Sequence, residues 1–426
     1  MNNLFLYLFF LLILSNCGIV KKNEIVEENL NTKIIFEKVK PIEKEFNSNL
    51  NINLTKFIKG EPFLSNNSNN IGNINFETNF NKTNSYKFST IKEFNFNQPE
   101  LIFTRDKAII FFDGKGSIFK VNSDMNEIWK VNYYTKKERK LNPIIYFAQN
   151  NNHLIVADTL SKIYLINLEN GDLIWSKNSI AGFNSNIKVY KDRFFVIDFD
   201  NTIRCFSTNS GVELWNFQTE NPFIKSQKKL SLLIKDDLVF FINSIGDLTA
   251  LNTSNGSLFW QTPTQSNVIY QDAFLLKVSD IVHSNNSIYF SNNKNEIFSI
   301  DTRSGIVNWE QKINSYLTPI IIENLIFSIS EEGFLFVIDD KNGNIIRVSN
   351  VLKNIENKKK KIIPTGFIIA KNKIYLSLNN GRLLKINIVT GNQENVFKLS
   401  RSKILRPNVF DGNMYLFKEN AIIKTY

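Results

Sequence analysis

The chain has very few of the residues from which metal sites and nucleophile sites are usually built. Its 426 residues include only 2 His and 2 Cys, which are His153, His283, Cys17 and Cys205. A zinc site rich in these residues would need all four to converge, and two cysteines form at most one disulfide. Neither a zinc domain nor a disulfide-stapled fold is therefore expected. Both histidines fall at or near predicted strands, where structural or surface roles are expected.

The overall composition is that of a folded, basic protein. Hydrophobic residues make up 43% of the chain and charged residues 21%, which excludes disorder throughout. The formal net charge is +11, but basic residues are interleaved with acidic ones except in Lys358–Lys361, interpreted as a solvated loop. We therefore expect no nucleic-acid partner, and we assign the charge to contact with anionic lipid headgroups or an acidic protein surface.

Sequence motifs for catalysis are lacking as well. The chain contains no P-loop, no Gly-x-Ser-x-Gly and no His-Glu-x-x-His. Asp198 and Asp200 are close enough to suggest a pair of cation ligands, but an Asx turn at a strand end explains them better. Cys205 falls within a predicted strand, where it is expected to be a small buried hydrophobic residue. The sequence predicts no catalytic residue, no metal site and no cofactor.

The amino terminus has the pattern of a secretory signal. Leu4–Leu14 is an apolar run too short to span a bilayer core of roughly 30 Å at about 1.5 Å per residue, but typical of a signal h-region. Leu14–Cys17 resembles a bacterial lipobox, with Asn16 where Gly, Ala or Ser is usual. The resemblance implies cleavage before Cys17 and its lipidation, and Gly18 in place of Asp implies the outer membrane. The alternative is an ordinary signal peptide.

Three segments follow from these patterns. Residues 1–16 are predicted to be a lipoprotein signal peptide, 17–60 a lipid-anchored flexible tether, and 61–426 the folded domain. The tether is polar, with Lys and Glu alternating with Asn and few aromatic residues. An Asn-, Ser- and Gly-rich stretch at 65–75 is interpreted as a loop.

A repeat of about 45 residues fills most of the folded domain. Each copy has a strand rich in β-branched and aromatic residues, then a turn, then a return strand, as in IYLINLENGDLIW at 163–175. Seven copies end 38 to 49 residues apart along the chain. This spacing is typical of the four-stranded blade of a β-propeller.

Two positions of the repeat are assigned structural roles. Glycine permits the positive φ of a tight turn, and a large flat indole is expected to fill the wedge between adjacent blades. The turn glycines are Gly171, Gly211, Gly256, Gly305, Gly343 and Gly391. The predicted blade-packing residues are all five tryptophans of the chain, Trp129, Trp175, Trp215, Trp260 and Trp309.

The final copy is incomplete and needs a strand from elsewhere. Residues 413–417 and 421–426 provide two strands with no return strand after them. Tyr86–Ile91, ahead of the first copy, is the candidate that closes the ring, because closure removes exposed sheet edges. The prediction is an all-β, eight-bladed β-propeller of four-stranded antiparallel blades, with the last blade closed by an N-terminal strand. Seven blades is the alternative.

The repeat resembles that of pyrroloquinoline-quinone-type propellers, and with the lipobox it resembles the BamB family of outer-membrane β-barrel assembly lipoproteins. The resemblance implies a non-catalytic scaffold on the periplasmic face of the outer membrane. It also implies docking to the POTRA domains of a BamA-like subunit, contact with other lipoproteins of the assembly complex, and help to nascent outer-membrane proteins. The repeat is more specific for fold than for function.

The same resemblance points to partner-binding loops. The family has a Leu-Ser-Asp-Val-Asp run before a strand, to which Val278–Val282 corresponds, so Ser279 and Asp280 are implied contacts. A family loop with Leu-x-Leu-Arg corresponds to residues 224–227, where Lys225 and Gln227 are implied contacts. An ordinary turn-capping role for Asp280 is the alternative.

Two other functions remain open on the same fold. A quinoprotein similar to the PQQ-dependent dehydrogenases needs a catalytic Asp, calcium-binding carboxylates and usually adjacent cysteines, and this chain has no adjacent cysteines. A generic periplasmic propeller for protein binding needs no such site.

Overall fold

The computed structural model describes residues 41–46, 52, 54–58, 67–78, 80, 82–92, 94, 99–220, 228–264, 276–355 and 361–426. The chain divides into Met1–Pro41 and Ile42–Tyr426, and only Pro41 of the first unit lies within the described residues. The second unit is a β-propeller of eight antiparallel blades, numbered here in chain order from residue 102. The prediction of eight rather than seven blades is confirmed.

Each blade has four strands, of which the first lies innermost, and the first strands of blades 1 to 5 contact one another in turn. Blade 1 contains Ile102–Phe103, Ile109–Phe112, Ile118–Val121 and Glu127–Val131. Blade 2 contains Ile145–Asn150, His153–Asp158, Lys162–Asn167 and Leu173–Asn178. Blade 3 contains Lys188–Tyr190, Arg193–Ile197, Thr202–Ser207 and Glu213–Gln218. Blade 4 contains Leu232–Lys235, Leu238–Ile242, Leu248–Asn252 and Leu258–Thr262.

The second half of the ring repeats this arrangement. Blade 5 contains Val282–Ser284, Ser287–Asn292, Glu296–Asp301 and Val307–Gln311. Blade 6 contains Ile320–Ile322, Leu325–Ile329, Phe334–Asp339 and Ile345–Asn350. Blade 7 contains Pro364–Ala370, Lys373–Leu378, Arg382–Asn387 and Gln393–Lys398. Blade 8 contains Asn408–Phe410, Asn413–Lys418, Ala421–Thr425 and, outermost, Thr83–Lys87. A one-turn helix, Lys136–Arg139, lies between blades 1 and 2.

The pattern of burial explains why these segments form strands. The second and third strands are covered on both faces by neighbouring blades, and every side chain of Ile109–Phe112 is buried. Strands buried on both faces are continuous runs of β-branched and aromatic residues rather than alternating ones. Fourth strands lie at the rim, and most side chains of Leu173–Asn178 are exposed. The core is therefore a ring of contacts between blades.

The N-terminal strand Thr83–Lys87 completes blade 8 by pairing antiparallel with Ala421–Thr425, so closure by an N-terminal strand is confirmed. It lies earlier than predicted, since only the first two residues of Tyr86–Ile91 belong to it. The rest leaves the ladder, because the N–H groups of Phe88 and Ile91 donate to the carbonyls of Asn420 and Glu419 in a turn of blade 8.

Segments that precede the closing strand also pack on the blades. Lys44–Glu45 pairs antiparallel with the outer strand of blade 6, and Asn73–Ile74 pairs parallel with the innermost strand of blade 7. Ile52 and Leu54 are buried in the core. Part of the 17–60 segment thus lies against the propeller.

Each tryptophan of the repeat lies against the turn glycine of the next blade. The pairs are Trp129 with Gly171, Trp175 with Gly211, Trp215 with Gly256, Trp260 with Gly305 and Trp309 with Gly343. Four of the indole N–H groups also donate to a main-chain carbonyl of that blade, at 2.9 to 3.2 Å. A buried indole thereby gains a hydrogen-bond partner as well as apolar contact.

Blade 6 has Arg347 at the position where blades 1 to 5 have tryptophan. Its guanidinium donates to the carbonyls of Ile388 (2.7 Å) and Val389 in blade 7. Gly391 of that turn lies against Ser349 instead of an indole. Hydrogen bonds from a planar cation thus replace the aromatic contact at this seam.

Replacement of Gly256 by alanine tests the packing between blades. Gly256 has a φ of +73°, and a Cβ there would lie 2.6 Å from a ring carbon of Trp215. We expect Gly256→Ala to lower the free energy of unfolding by about 1–2 kcal/mol from backbone strain and by about 1–3 kcal/mol more from overpacking. Urea unfolding followed by tryptophan fluorescence measures this loss.

Gly412 is the matched control, with a φ of +71° and no atom within 4 Å of an added Cβ. Gly412→Ala should show the backbone loss alone. Equal losses for the two variants would contradict the role assigned to the contact between indole and glycine.

Substitution of Tyr86 tests ring closure. Its ring lies 5.5 Å from that of Phe111 and 5.9 Å from that of Phe119 in blade 1, and its hydroxyl donates to Glu127 at 2.8 Å. We expect Tyr86→Ala to destabilise the protein by about 2–4 kcal/mol, and Tyr86→Phe by only about 1 kcal/mol. Thermal and urea unfolding of both variants check this order, and an unchanged stability of Tyr86→Ala would argue against a closing role.

Candidate functional site

The first strands of the eight blades surround a cavity of about 240 Å³, called here the axial cavity. Every blade contributes to its wall, mostly from residues where the first strand begins or from the segment just before it. Sites for drug-sized ligands measure roughly 300–1,000 Å³, so this volume suits a smaller molecule.

Residues 67–74, called here the axial strap, lie along the first strands of blades 4 to 7. The side-chain amide of Asn69 donates to the carbonyls of Leu232 (3.1 Å) and Ile281 (2.8 Å), and that of Asn70 donates to a carbonyl of blade 6 at 2.9 Å. Main-chain carbonyls at the inner edge of a sheet need donors, and short amide side chains provide them. This explains the Asn-rich composition of the segment, and Asn69 itself lines the cavity.

Charged side chains from blades 3, 4, 5 and 8 and from the segment before blade 1 converge on the axial cavity. The cations, called here the cationic cluster, are Lys188, Lys228, Lys229 and Arg406, and the carboxylates are Glu100 and Asp280. The Lys229 side chain is only 9% exposed, and its ammonium lies 4.0 Å from Oδ1 of Asp280. The same ammonium donates to Glu100. Among the described residues that line the cavity, four are cations and two are carboxylates.

A glycine in blade 7 allows Arg406 to reach the cavity wall. A Cβ at Gly366 would lie only 2.7 Å from the Cα of Arg406. The ladder of blade 7 is irregular between Pro364 and Gly366, which moves the strand locally out of register. Any larger residue at this position would push the two segments apart.

Asp280 is held as a carboxylate by its neighbours. Burial alone would raise the pKa of Asp280, but the positive charges of Lys229, Arg406 and Lys228 and a hydrogen bond from Thr318 lower it to about 2. The Thr318 hydroxyl donates to Oδ2 of Asp280 at 3.1 Å. Asp280 is therefore ionised throughout the physiological range.

Two lysines of the cluster differ from Asp280, because burial disfavours their charged forms more than their neighbours favour them. Burial lowers the pKa of Lys228 to about 7 and that of Lys188 to about 8, although the charge of Asp280 opposes the shift at both. The pKa of Lys229 is raised, since Asp280 and Glu100 together outweigh its burial. The protonation of Lys188 and Lys228 is thus sensitive to any further charge in the cavity.

The residues implied as partner contacts do not share one environment in the structure. Ser279 is 2% exposed, and its hydroxyl donates to the carbonyl of Asp280 and accepts from the N–H of Ser291, both at 3.0 Å. Asp280 faces the axial cavity. Lys225 and Gln227 lie outside the described residues, as do Cys17 and three of the four lysines in 358–361.

Asp198 and Cys205, whose residue types suit metal binding and nucleophilic chemistry, are both engaged in the fold. Oδ1 of Asp198 accepts from the N–H groups of Asp200 (2.9 Å) and Thr202 (3.0 Å), which is the expected Asx turn, and Oδ2 accepts from Arg204 at 2.8 Å. Burial raises the pKa of the Cys205 thiol to about 12, which makes it a poor nucleophile. In the described part of the chain, no group of three or more His, Cys, Asp or Glu is placed to hold a metal ion.

The sequence did not predict the cationic cluster. Its members are far apart in the chain and belong to no motif, and Lys228 and Lys229 resemble any surface pair of lysines. The available signal is positional, because each member lies just before or within a blade's first strand. In blades 3 and 8 that strand has only three residues, Lys188–Tyr190 and Asn408–Phe410, so the signal becomes visible only when the blade is complete.

Among the described residues, no helix has the length and apolar character needed to cross a bilayer.

Comparison with solved structures supports the architecture. The crystal structure of BamB from Moraxella catarrhalis is similar with a TM-score of 0.64 and 13% identity, over 80% of this chain and 98% of that one. A computationally designed protein, Ika8, is similar with a TM-score of 0.58 and 12% identity, over 80% of this chain and 99% of that one. At these identities the likeness shows the propeller fold alone.

Curated proteins match at similarly low identity. An uncharacterized protein of Rickettsia conorii is 22% identical over 267 residues, 57% of this chain and 59% of that protein. Outer membrane protein assembly factors BamB of Legionella pneumophila and Moranella endobia are 22% and 21% identical, over 37% and 62% of this chain. The aligned regions span 36% to 66% of the lengths of these relatives.

A family-level comparison is broader. The family described as outer membrane protein assembly factor BamB matches residues 114–349, more than half of the chain. The match extends from the third strand of blade 1 to the fourth strand of blade 6, where the tryptophan and glycine pairs lie. The chain therefore belongs to the outer membrane protein assembly factor BamB family.

Proposed function

We propose that the protein is a non-catalytic scaffold in the assembly of outer-membrane β-barrel proteins. The observation that carries the proposal is the family match over residues 114–349. The described side chains favour binding over chemistry, since the Cys205 thiol is buried with a raised pKa and Asp198 is engaged in a turn and an ion pair. Fold alone would not decide this, because the same repeat also occurs in enzymes.

Docking is assigned to the end of the propeller where the first strands begin. Asp280 precedes the first strand of blade 5, and the implied contacts Lys225 and Gln227 precede that of blade 4 in the sequence. Ser279 orders the segment by its two hydrogen bonds and is assigned a supporting role. Lys277, three residues before Asp280, is exposed, with its ammonium 5.1 Å from the centroid of the Tyr316 ring.

The proposed partner at this end is the set of POTRA domains of a BamA-like subunit. The exposed Lys277 near the carboxylate of Asp280 suits a partner surface with acidic and basic patches, and complementary charge mainly accelerates association. Other lipoproteins of the assembly complex and nascent outer-membrane proteins are proposed as further partners.

A lipid anchor on the periplasmic face of the outer membrane completes the proposal. It rests on the lipobox resemblance of Leu14–Cys17 and on the Gly18 that follows. Diacylation of Cys17 together with an N-acyl chain would supply more than the two hydrophobic signals needed for stable anchoring. Mass spectrometry of the mature N-terminus tests it, and an unmodified Cys17 or an intact 1–16 segment would remove the anchor.

Reversal of charge at Lys277 tests the docking face. We expect Lys277→Glu to weaken binding to purified POTRA domains by about tenfold at low salt, with a smaller effect at high salt because the contact is screened. Calorimetric titration at two salt concentrations measures both quantities.

Lys191→Glu is the matched control, because Lys191 is an exposed lysine in the turn between the first two strands of blade 3, at the other end of the propeller. Its binding should equal that of the unaltered protein. Loss of binding only in the Lys191 variant would move the docking face to that end, and absence of binding by the unaltered protein would refute the scaffold assignment.

A further inference from the structure

The connection between blades 1 and 2 presents a run of basic side chains. Residues 135–142, called here the basic loop, come after the outer strand of blade 1 and contain the one-turn helix Lys136–Arg139. The four basic residues of the loop are all exposed, and they are Lys136, Lys137, Arg139 and Lys140. Leu141 comes directly after them and is 65% exposed. The loop thus places an aliphatic side chain beside four basic ones at the surface.

The basic loop contains one acidic residue, Glu138, which is turned toward the fold. Its Oε2 accepts from the N–H and the hydroxyl of Thr135 at 2.8 and 2.9 Å, and its Oε1 lies 2.7 Å from the ammonium of Lys162 in blade 2. The hydrogen bonds from Lys162 and Thr135 lower the pKa of Glu138 to about 2, so the carboxylate is ionised at neutral pH. The outer surface of the loop is therefore dominated by the basic residues and Leu141.

Several contacts fix the shape of the basic loop. Thr135 begins the helix with a capping box, and Nε of Arg139 donates to the carbonyl of Tyr134 at 3.0 Å. Tyr134 is buried, its hydroxyl donates to Asp158, and the ammonium of Lys162 lies 5.3 Å from the centroid of its ring. A loop that is ordered before binding loses little conformational entropy when it meets a partner surface.

The basic loop lies at the end of the propeller where the first strands begin. Asn132, just before the loop, donates from its side-chain amide to the carbonyl of Lys115 and to the hydroxyl of Ser117, both at 3.1 Å. These two residues lie between the second and third strands of blade 1, and Lys115 is exposed. Lys277, which is assigned to partner docking, precedes blade 5, half the ring away. The loop can therefore contact a different surface from the one that Lys277 contacts.

We propose that the basic loop contacts an anionic lipid surface, with its basic side chains at the headgroups and Leu141 at the boundary of the acyl chains. Clusters of lysine and arginine are attracted to anionic lipids, and membrane-surface segments combine such cations with apolar side chains. Leu141 favours lipid over an acidic protein, because an exposed aliphatic side chain makes no favourable contact with carboxylates. This contact goes beyond the proposed scaffold role, and its test needs no partner protein, so the two proposals can fail independently.

Co-sedimentation of the full-length protein with lipid vesicles tests the contact. At low salt we expect about fivefold tighter binding to vesicles of phosphatidylethanolamine and phosphatidylglycerol than to vesicles of phosphatidylethanolamine and phosphatidylcholine, and the difference should shrink at high salt because exposed charges are screened. Equal binding to both kinds of vesicle, together with an unchanged rate of amide hydrogen exchange in residues 135–142, overturns the proposal. The exchange rate decides the question where the N-terminal segment holds the protein to both kinds of vesicle, because only the anionic vesicles should then slow exchange in the loop.

Charge reversal separates the basic loop from the general positive charge. The double variant Lys136→Glu/Lys137→Glu should lose most of the preference for anionic vesicles, a change of about fivefold. The matched control is Lys191→Glu/Lys371→Glu, which reverses the charge of two exposed lysines in turns at the other end of the propeller, and it should bind as the unaltered protein does. Equal weakening in both double variants overturns the assignment to the loop.

Replacement of Leu141 distinguishes a lipid surface from an acidic protein. We expect Leu141→Ala to weaken binding to anionic vesicles about threefold and to leave unchanged any binding to polyglutamate, the probe for an acidic protein surface. An unchanged affinity of Leu141→Ala for the vesicles overturns the assignment to lipid, and polyglutamate bound through Lys136 and Lys137 would then assign the loop to an acidic protein. Because Leu141 is exposed, its replacement should leave folding intact, which thermal unfolding of each variant checks.

Discussion

Neighbouring blades are joined where a flat side chain on the outer strand of one blade lies against the glycine turn of the next. The indole of Trp260, for example, packs on Gly305 and donates to the carbonyl of Thr302 in the following blade. One position thereby provides apolar contact, a satisfied donor and a fixed distance between sheets. Arg347 shows that the seam requires this geometry more than it requires tryptophan, because its guanidinium makes equivalent bonds to blade 7.

The same geometry joins six of the eight pairs of neighbouring blades, five through tryptophan and one through Arg347. Blade 8 is assembled from the two ends of the chain, and its seam with blade 1 uses the Tyr86 ring and the Lys424 ammonium, which donates to Ser123 at 2.7 Å. A closed ring has no free blade face. It also brings eight first strands around one axis, and this convergence creates the axial cavity and concentrates charged residues that are distant in the chain.

Some strands of the blades could be predicted from the sequence more accurately than others. Second and third strands such as Ile109–Phe112 are continuous apolar runs because both faces are buried, so the pattern is visible without neighbours. The sequence predicted the closing strand but placed it a few residues too late in the chain. The reason is that Phe88 and Ile91 are apolar but pack over a turn of blade 8. First strands such as Lys188–Tyr190 are short and polar, and they are stabilised by the strands beside them. The axial strap, interpreted from composition as a loop, binds inner-edge carbonyls through its asparagines.

The repeat, the number of blades and the exclusion of most metal and nucleophile chemistry were determined by the sequence alone, because spacing, apolar runs and residue counts are local properties of the chain. Only the tertiary structure decided the cationic cluster and the position of Asp280 in the cavity wall. It also decided the lowered pKa values of Lys188 and Lys228. Desolvation and charge proximity depend on distances between blades, and no pattern along the chain encodes them.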